Sequence, residues 1–442
     1  MNRRTFLKTA SLASAAVSMP ALLRSQGAGG QSPNSKLNIA CCGVGGRGHS
    51  AVEGLKDENL VAFCDVDDAS AAKAFGEFPG VPRFKDFRVM LDKLGGSIDA
   101  VTVSTPDHMH FPIAMAAIAA GKHVFVEKPM THTVDEARRI AKAAREKKVA
   151  TQMGNQGHAG EGIRILKEWV DAGVLGEVRE LHSWTDRPIW PQGVNPFDHT
   201  KMMPVVPPTL DWDLWLGVAE AREYDPGYLP FTWRGFWDFG SGSLGDMGCH
   251  IMDGAYWALG LTQPTSVSPI GGIATPISQP PSSVIRYEFP ARGDMPALSW
   301  TWYDSGLKPP MPEDLEENRT LPDNGTLIYG SKCTVFADTY YGSVRIIPEA
   351  KMKDLAHSLP PKTIPRVAGG NHFLEWVNAC KGGVPAGSNF DYSSRLTETV
   401  VLGNVALRAR RRIEYDAAAM KVTNLASANE LLTKHYRPGF GV

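Results

Sequence analysis

The sequence predicts an α/β protein in two folded parts: a Rossmann-type parallel sheet clothed in helices, then an α+β part built on an antiparallel sheet. Three observations predict it. From Lys36 to Met153, apolar runs of strand length alternate with helical patterns, as in a parallel sheet covered on both faces. The first of these runs leads into Gly43-x-Gly45-x-x-Gly48. Beyond residue 280, strand-like segments follow one another with no helix between them, which suggests antiparallel neighbours.

Ahead of the fold stands Asn2-Arg3-Arg4-Thr5-Phe6-Leu7-Lys8, then an Ala/Ser-rich apolar stretch over 9–23 and a Gly/Ser/Gln-rich stretch over 25–35. The arginine pair resembles a twin-arginine export signal. The apolar stretch is too short for a membrane span and fits a signal core. Residues 1–33 are therefore expected to be signal peptide and linker, with Ala21 and Ala28 both ending suitable cleavage sequences, and the mature protein to be periplasmic or otherwise exported. Residues 34–153 and 154–442 are expected to form the two folded domains. Removing the four basic residues of the leader takes the net charge from −1 to −5. Neither balance favours nucleic acid or an anionic membrane, so no nucleic-acid partner and no stable membrane span are expected. The six cysteines form no C-x-x-C pair, and Cys41, Cys42 and Cys64 fall in expected strands; free thiols are expected.

Taken in order, strands are expected over 37–42, 60–64, 100–104, 123–127 and 149–153. Helices are expected between them over 69–75, 112–120 and 134–147, the last opened by a Thr133-x-x-Glu136 capping box. A helix over 161–172 has Ile163, Leu166 and Val170 as its stripe and Gly173 as its stop. Residues 183–240 are rich in Trp, Pro and Gly and weakly periodic. A helix over 245–259 follows, then strands over 282–289, 297–303, 326–329, 333–337 and 344–347, and helices over 372–380 and 396–408.

Gly43 allows a tight turn, Gly45 lets the backbone approach a pyrophosphate, and Gly48 lets helix and strand pack closely. The helix that starts at Gly46 and Arg47 would hold the phosphates. Asp65 ends the next strand 20 residues after Gly45, the spacing at which a carboxylate reaches ribose hydroxyls. A carboxylate there favours NAD over NADP, while Arg47 works the other way. Glu127-Lys128-Pro129 and Ser104-Thr105-Pro106-Asp107 end neighbouring strands, where ligands sit in open α/β sheets. Lys128 can point at reacting atoms there, or be a surface lysine in a salt bridge. Asp246, His250 and Asp253 share a helical face. A His beside a carboxylate suits acid–base work; a structural His is the plain alternative. A metal is not expected, because no second His or thiol stands at ligand spacing.

These elements together, with His110, resemble the Gfo/Idh/MocA oxidoreductases along essentially the whole mature chain. The resemblance implies a Rossmann domain plus an α+β domain with a large open sheet, whose outer face commonly mediates homo-oligomers, dimers or tetramers. It implies that Lys128, Asp246 and His250 line the substrate site, and that the substrate is a carbohydrate. Asn155-Gln156-Gly157-His158 departs from the aromatic–arginine segment of many relatives, so Asn155, Gln156 and His158 are candidate substrate contacts. Eight of the eleven tryptophans lie between Trp169 and Trp257. Trp184, Trp190, Trp233 and Trp237 are candidate platforms for a sugar, with Arg234 beside them. The expected chemistry is hydride transfer between a sugar or polyol hydroxyl and a tightly held NAD. His250 would take the hydroxyl proton, Lys128 would stabilise the alkoxide, and Asp246 would orient His250 or bind a neighbouring hydroxyl. A redox-neutral NAD-dependent glycosidase uses the same residues, although relatives of that kind tend to lack the lysine. A non-catalytic sugar-binding protein is the third reading.

Overall fold

A computed structural model describes residues 35–197 and 204–441 of the chain; the expected signal peptide and its cleavage sites lie outside them. The first sheet contains β1 (Asn38–Cys42), β2 (Asn59–Cys64), β3 (Arg83–Phe84), β4 (Ala100–Val103), β5 (His123–Val126) and β6 (Thr151–Met153). Their spatial order is β3-β2-β1-β4-β5-β6, every neighbour parallel. The order reverses between β1 and β4, which opens a crevice at the strand ends. Alternate side chains feed two cores, as a sheet buried on both faces requires. Ile39, Cys41, Phe63 and Phe125 face one way; Ala40, Cys42, Val101 and Val124 face the other. Helix Val134–Lys147 opens with the expected capping box, Thr133 accepting from the Glu136 N–H and Glu136 from the Thr133 N–H.

Helix His372–Cys380 forms as expected, but its place was not legible. Expected within the second domain by its position in the chain, it packs beneath the first sheet, where Phe373, Trp376 and Val377 join the core of Phe63 and Phe125. Gly54 makes room for it: a Cβ there would lie 2.3 Å from the Phe373 ring.

The second sheet has nine strands: β7 (Val178–Trp184), β8 (Ser266–Gly271), β9 (Val284–Phe289), β10 (Leu298–Tyr303), β11 (Gly325–Gly330), β12 (Thr334–Ala337), β13 (Val344–Ile347), β14 (Ile413–Asp416) and β15 (Lys421–Val422). Their order is β13-β12-β11-β7-β10-β9-β8-β14-β15, and only the β7–β10 pair is parallel. The central β7 escaped the sequence reading because Arg179 and Glu180 are exposed while His182 and Ser183 are buried, which hides its alternation. The expected helix over 245–259 is broken at Met252 into Gly242–Ile251 and Asp253–Ala258. All six cysteines are buried and unpaired. No described helix is long and apolar enough to cross a membrane.

Three buried histidines make stability depend on pH. Burial pushes the imidazoles of His108 to about 3, His372 to about 4 and His250 well below its usual range. A histidine depressed in the fold stays neutral while the unfolded chain takes up a proton. Stability is therefore full above pH 6.5 and is lost as pH falls below it. Each contributes about 1.4 kcal/mol per pH unit in that window. Urea unfolding is expected to show lower stability at pH 5.5 than at 7.5; an unchanged midpoint would contradict it.

Candidate active site

A groove runs along the carboxyl ends of β1, β2, β4 and β5. It is lined by Gly43, Gly45, Gly46, Arg47, Asp65, Ser104, Thr105, Pro106, His110, Glu127 and Lys128, and at its far end by Trp233, Arg234 and Asp246. The glycine loop is shaped by close approach. At Gly43, φ is +75°, and a Cβ would lie 2.6 Å from the Ser104 carbonyl; at Gly48 it would lie 2.0 Å from the Gly43 carbonyl. The Ser104 hydroxyl is buried without a partner. A backbone cradle that tolerates no side chain, with an unsatisfied hydroxyl in its wall, fits a dinucleotide.

The side chains around the loop are committed to shaping it. The Asp65 carboxylate accepts the N–H groups of Val44 at 2.9 Å and Asp67 at 3.1 Å, and burial pushes its carboxyl above the usual range. Arg47 pairs with Glu127 at 2.8 Å and reaches Gln156 at 3.5 Å, so it ties helix Arg47–Gly54 to the end of β5. The His110 ring lies between the carbonyls of Thr105 and Pro129, 2.8 Å from each, and clamps the loops after β4 and β5 together.

Lys128 is the best-defined group. Its Nζ donates to Asp246 Oδ1 at 2.7 Å and to the Asp246 carbonyl at 3.0 Å. An ammonium has three N–H donors, so one is left for an oxygen in the groove. Burial raises the Asp246 carboxyl, but the charges of Lys128 and Arg234 and the Lys128 hydrogen bond outweigh it and hold it below its usual range. Asp246 therefore stays ionised and bonds Lys128 rather than His250. One turn further on, His250 stands edge-on to Tyr340 with ring centroids 5.1 Å apart. Its Nδ1 is buried and unpartnered, and its imidazole is held neutral by burial.

Several candidates lie elsewhere. Asp253 lies in a buried network with His158 at 2.9 Å, Asn155 at 2.9 Å and Tyr392 at 2.6 Å. Asn155 and His158 are therefore held in this buried network and do not border the groove. Trp184 is fully buried in a satellite core with Leu321, Leu327 and Ile347, its indole N–H on the Pro322 carbonyl. Trp237 donates to the Thr275 carbonyl under Arg408, and the Trp190 ring lies beside Arg234 and edge-on to Phe231. Away from the groove, His49, Glu53 and Glu77 place ligand atoms within 4.8 Å of one another, but Lys56 and Lys73 already pair with the two carboxylates.

The sequence reading missed the roof of the groove. Leu214, Trp215, Leu229, Pro230 and Phe231 of the insert, and Phe440 near the end of the described chain, line it. The insert is fastened to the first domain by Asp68 N–H on the Thr209 carbonyl and Asp211 N–H on the Val66 carbonyl. The tail is held by Arg88, which donates to the Gly439 carbonyl at 2.6 Å and stacks on Phe440 at 4.4 Å. An aromatic stretch without helical or strand period was the only signal.

Comparison with known proteins agrees with this architecture. Solved structures with the same fold include the WlbA dehydrogenase from Bordetella pertussis in complex with NADH and UDP-GlcNAcA. It is 18% identical with a TM-score of 0.60, over 86% of this chain and 99% of that one. A levoglucosan dehydrogenase in complex with NADH and levoglucosan gives 17% and 0.57, over 86% and 99%. Among curated sequences, an inositol 2-dehydrogenase from Pseudomonas fluorescens is 33% identical over 152 residues, 33% of this chain and 44% of that protein. A glycosyl hydrolase family 109 protein from Shewanella baltica is 31% identical over 206 residues, 40% and 44% respectively. The matched segments span less than half the length of these curated relatives. Residues 37–155 match the family model for the oxidoreductase family's NAD-binding Rossmann fold, and residues 162–274 match the model for its C-terminal alpha/beta domain. With just over half of its length matched by these two models, the chain belongs to the Gfo/Idh/MocA oxidoreductase family and carries its NAD-binding domain.

Proposed function

We propose that the protein transfers hydride between a sugar or polyol hydroxyl and a nicotinamide that stays bound through the cycle. The Lys128–Asp246 pair at the end of the dinucleotide groove carries this reading. When bound, NAD supplies the hydride acceptor. The chain's own residues do the rest. Lys128 would offer its remaining N–H to the substrate oxygen and stabilise negative charge growing there. His250, neutral at pH 7, would accept the hydroxyl proton once substrate reaches it. Asp246 would fix the ammonium and supply an acceptor for a neighbouring hydroxyl.

The roof of the groove supports retention of the cofactor, since Trp215, Phe231 and Phe440 come from segments fastened across it. The desalted protein is expected to keep close to one nucleotide per chain, read from its absorbance spectrum. Adding a sugar should raise the reduced-nucleotide band, and a second carbonyl compound should discharge it. A nucleotide-free protein after desalting would contradict retention.

The match to a glycosyl hydrolase family 109 protein favours a second reading, transient oxidation followed by elimination of an aglycone and re-reduction. Release of aglycone without net reduction would establish it. The Arg3-Arg4 leader supports export of the folded, loaded protein. Lys-Lys at those positions should trap the protein in the cytoplasm, and unchanged export would overturn that proposal.

A further inference from the structure

The substrate end of the groove holds more positive charge than a neutral sugar requires. Lys128 and Arg234 both face Asp246, at 2.7 Å and 3.6 Å. Lys128 is hydrogen-bonded to it; the Arg234 Nε is beyond hydrogen-bond reach. Among the described residues, the guanidinium donates one hydrogen bond, from Nη1 to the Phe231 carbonyl at 3.2 Å. A guanidinium carries five N–H donors in a planar fork, so most of this fork has no assigned acceptor.

The fork is nevertheless held in place. Its central carbon lies 4.2 Å from the Phe231 ring, 4.3 Å from Trp233 and 5.8 Å from Trp190. Such cation–π contacts are attractive, and more so where water is excluded. Gly240 presses on the same residue: a Cβ there would lie 2.6 Å from the Arg234 Cα. The side chain is 18% exposed. A cation desolvated this far and lacking a full partner is costly unless an anion completes it. The nearby Asp107 does not, because its carboxylate accepts the Ser241 N–H at 3.0 Å and burial pushes its carboxyl above the usual range.

We propose that Arg234 receives a carboxylate on the substrate, so that the site is built for a sugar acid, a uronate or an aldonate, rather than for a neutral sugar. This rests on the hydride-transfer reading above and names its substrate class. A planar monoanion matches one planar fork by paired N–H···O bonds. It also matches the positive charge of Arg234, which Asp246 approaches no closer than 3.6 Å. A phosphate dianion would exceed that charge and meet repulsion from Asp246. The carboxylate would be a spectator: bound NAD would supply the hydride acceptor, His250 would take the hydroxyl proton, and a keto acid would result.

The first test is equilibrium binding to the nucleotide-loaded protein, followed by tryptophan fluorescence, because Trp233 and Trp190 flank the fork. D-Glucuronate and D-gluconate should bind at least about a hundred-fold more tightly than D-glucose and D-glucitol. Equal or weaker binding of the acids, or tighter binding of glucose 6-phosphate, would overturn the proposal without touching the hydride-transfer reading. The second test is kinetic. Arg234→Gln should raise KM for the acid by about 30- to 300-fold with a much smaller change in kcat, and Arg234→Lys should recover part of the loss. A fall in kcat shared equally by acid and neutral substrates would assign Arg234 a merely structural role. Aglycone release from a p-nitrophenyl glycoside, with no reduction of the nucleotide by any of these compounds, would instead remove the net hydride-transfer reading itself.

Discussion

Lys128→Met is expected to lower turnover by about a hundred- to ten-thousand-fold while the protein keeps its nucleotide. Two effects add. The substitution removes the N–H left over from the Asp246 pair, the donor placed to meet charge on the substrate oxygen. It also removes the nearest cation from Asp246, whose carboxyl is held down chiefly by Lys128 and then by Arg234 against the upward push of burial. That carboxyl should therefore rise. The check is the rate of nucleotide reduction after mixing with substrate, alongside nucleotide content. Near-normal reduction would show that Lys128 is a structural partner of Asp246 and nothing more. The cofactor stays because its phosphates depend on the glycine loop, at the other end of the groove.

The glycine loop carries the second large effect. Gly48→Ala places a Cβ 2.0 Å from the Gly43 carbonyl oxygen and 2.7 Å from its carbon. Both are backbone atoms, so no rotamer change relieves the clash and helix Arg47–Gly54 must move off the strand. Nucleotide content, measured after acid release, should fall below about a tenth of the wild-type value, with a stability cost of about 1–3 kcal/mol. Gly76→Ala is the contrast. A Cβ there meets nothing within 4 Å, and the position is helical, so a small gain in stability is expected. Retention of nucleotide in Gly48→Ala would mean that the loop does not hold it.

The parts of the site that were legible in the sequence are those where backbone geometry dictates residue type. A turn that crowds the next strand admits only Gly43 and Gly48, and ligand-facing groups at the ends of parallel strands put Lys128 and Asp107 in view. Elsewhere one-dimensional spacing misled. Asp253 follows Asp246 at a helical interval, but its carboxylate is taken up by His158 in the interior. Trp184 looked like Trp233 in a list of tryptophans; the satellite core of Leu321 and Leu327 claims it. Arg234 was named as one contact among many, because neither composition nor period shows that Phe231 and Trp233 close around it. The roof was invisible for the same reason. It joins Trp215 to Phe440, positions 225 residues apart with no pattern in common.

Helix His372–Cys380, sealed against the first sheet through Trp376, sets the order in which the chain can be completed. The strands it covers are all made by residue 153, some 227 residues earlier. At about 5–20 residues per second, ribosomes take roughly 10–45 s to travel that distance. Throughout that interval the nascent sheet lacks the Phe373 and Trp376 rings that cover Phe125, which leaves that part of its apolar face open to chaperones and to neighbouring chains. The nucleotide fold thus matures only near the end of synthesis, and a product cut short before Trp376 leaves the ribosome with that face still bare.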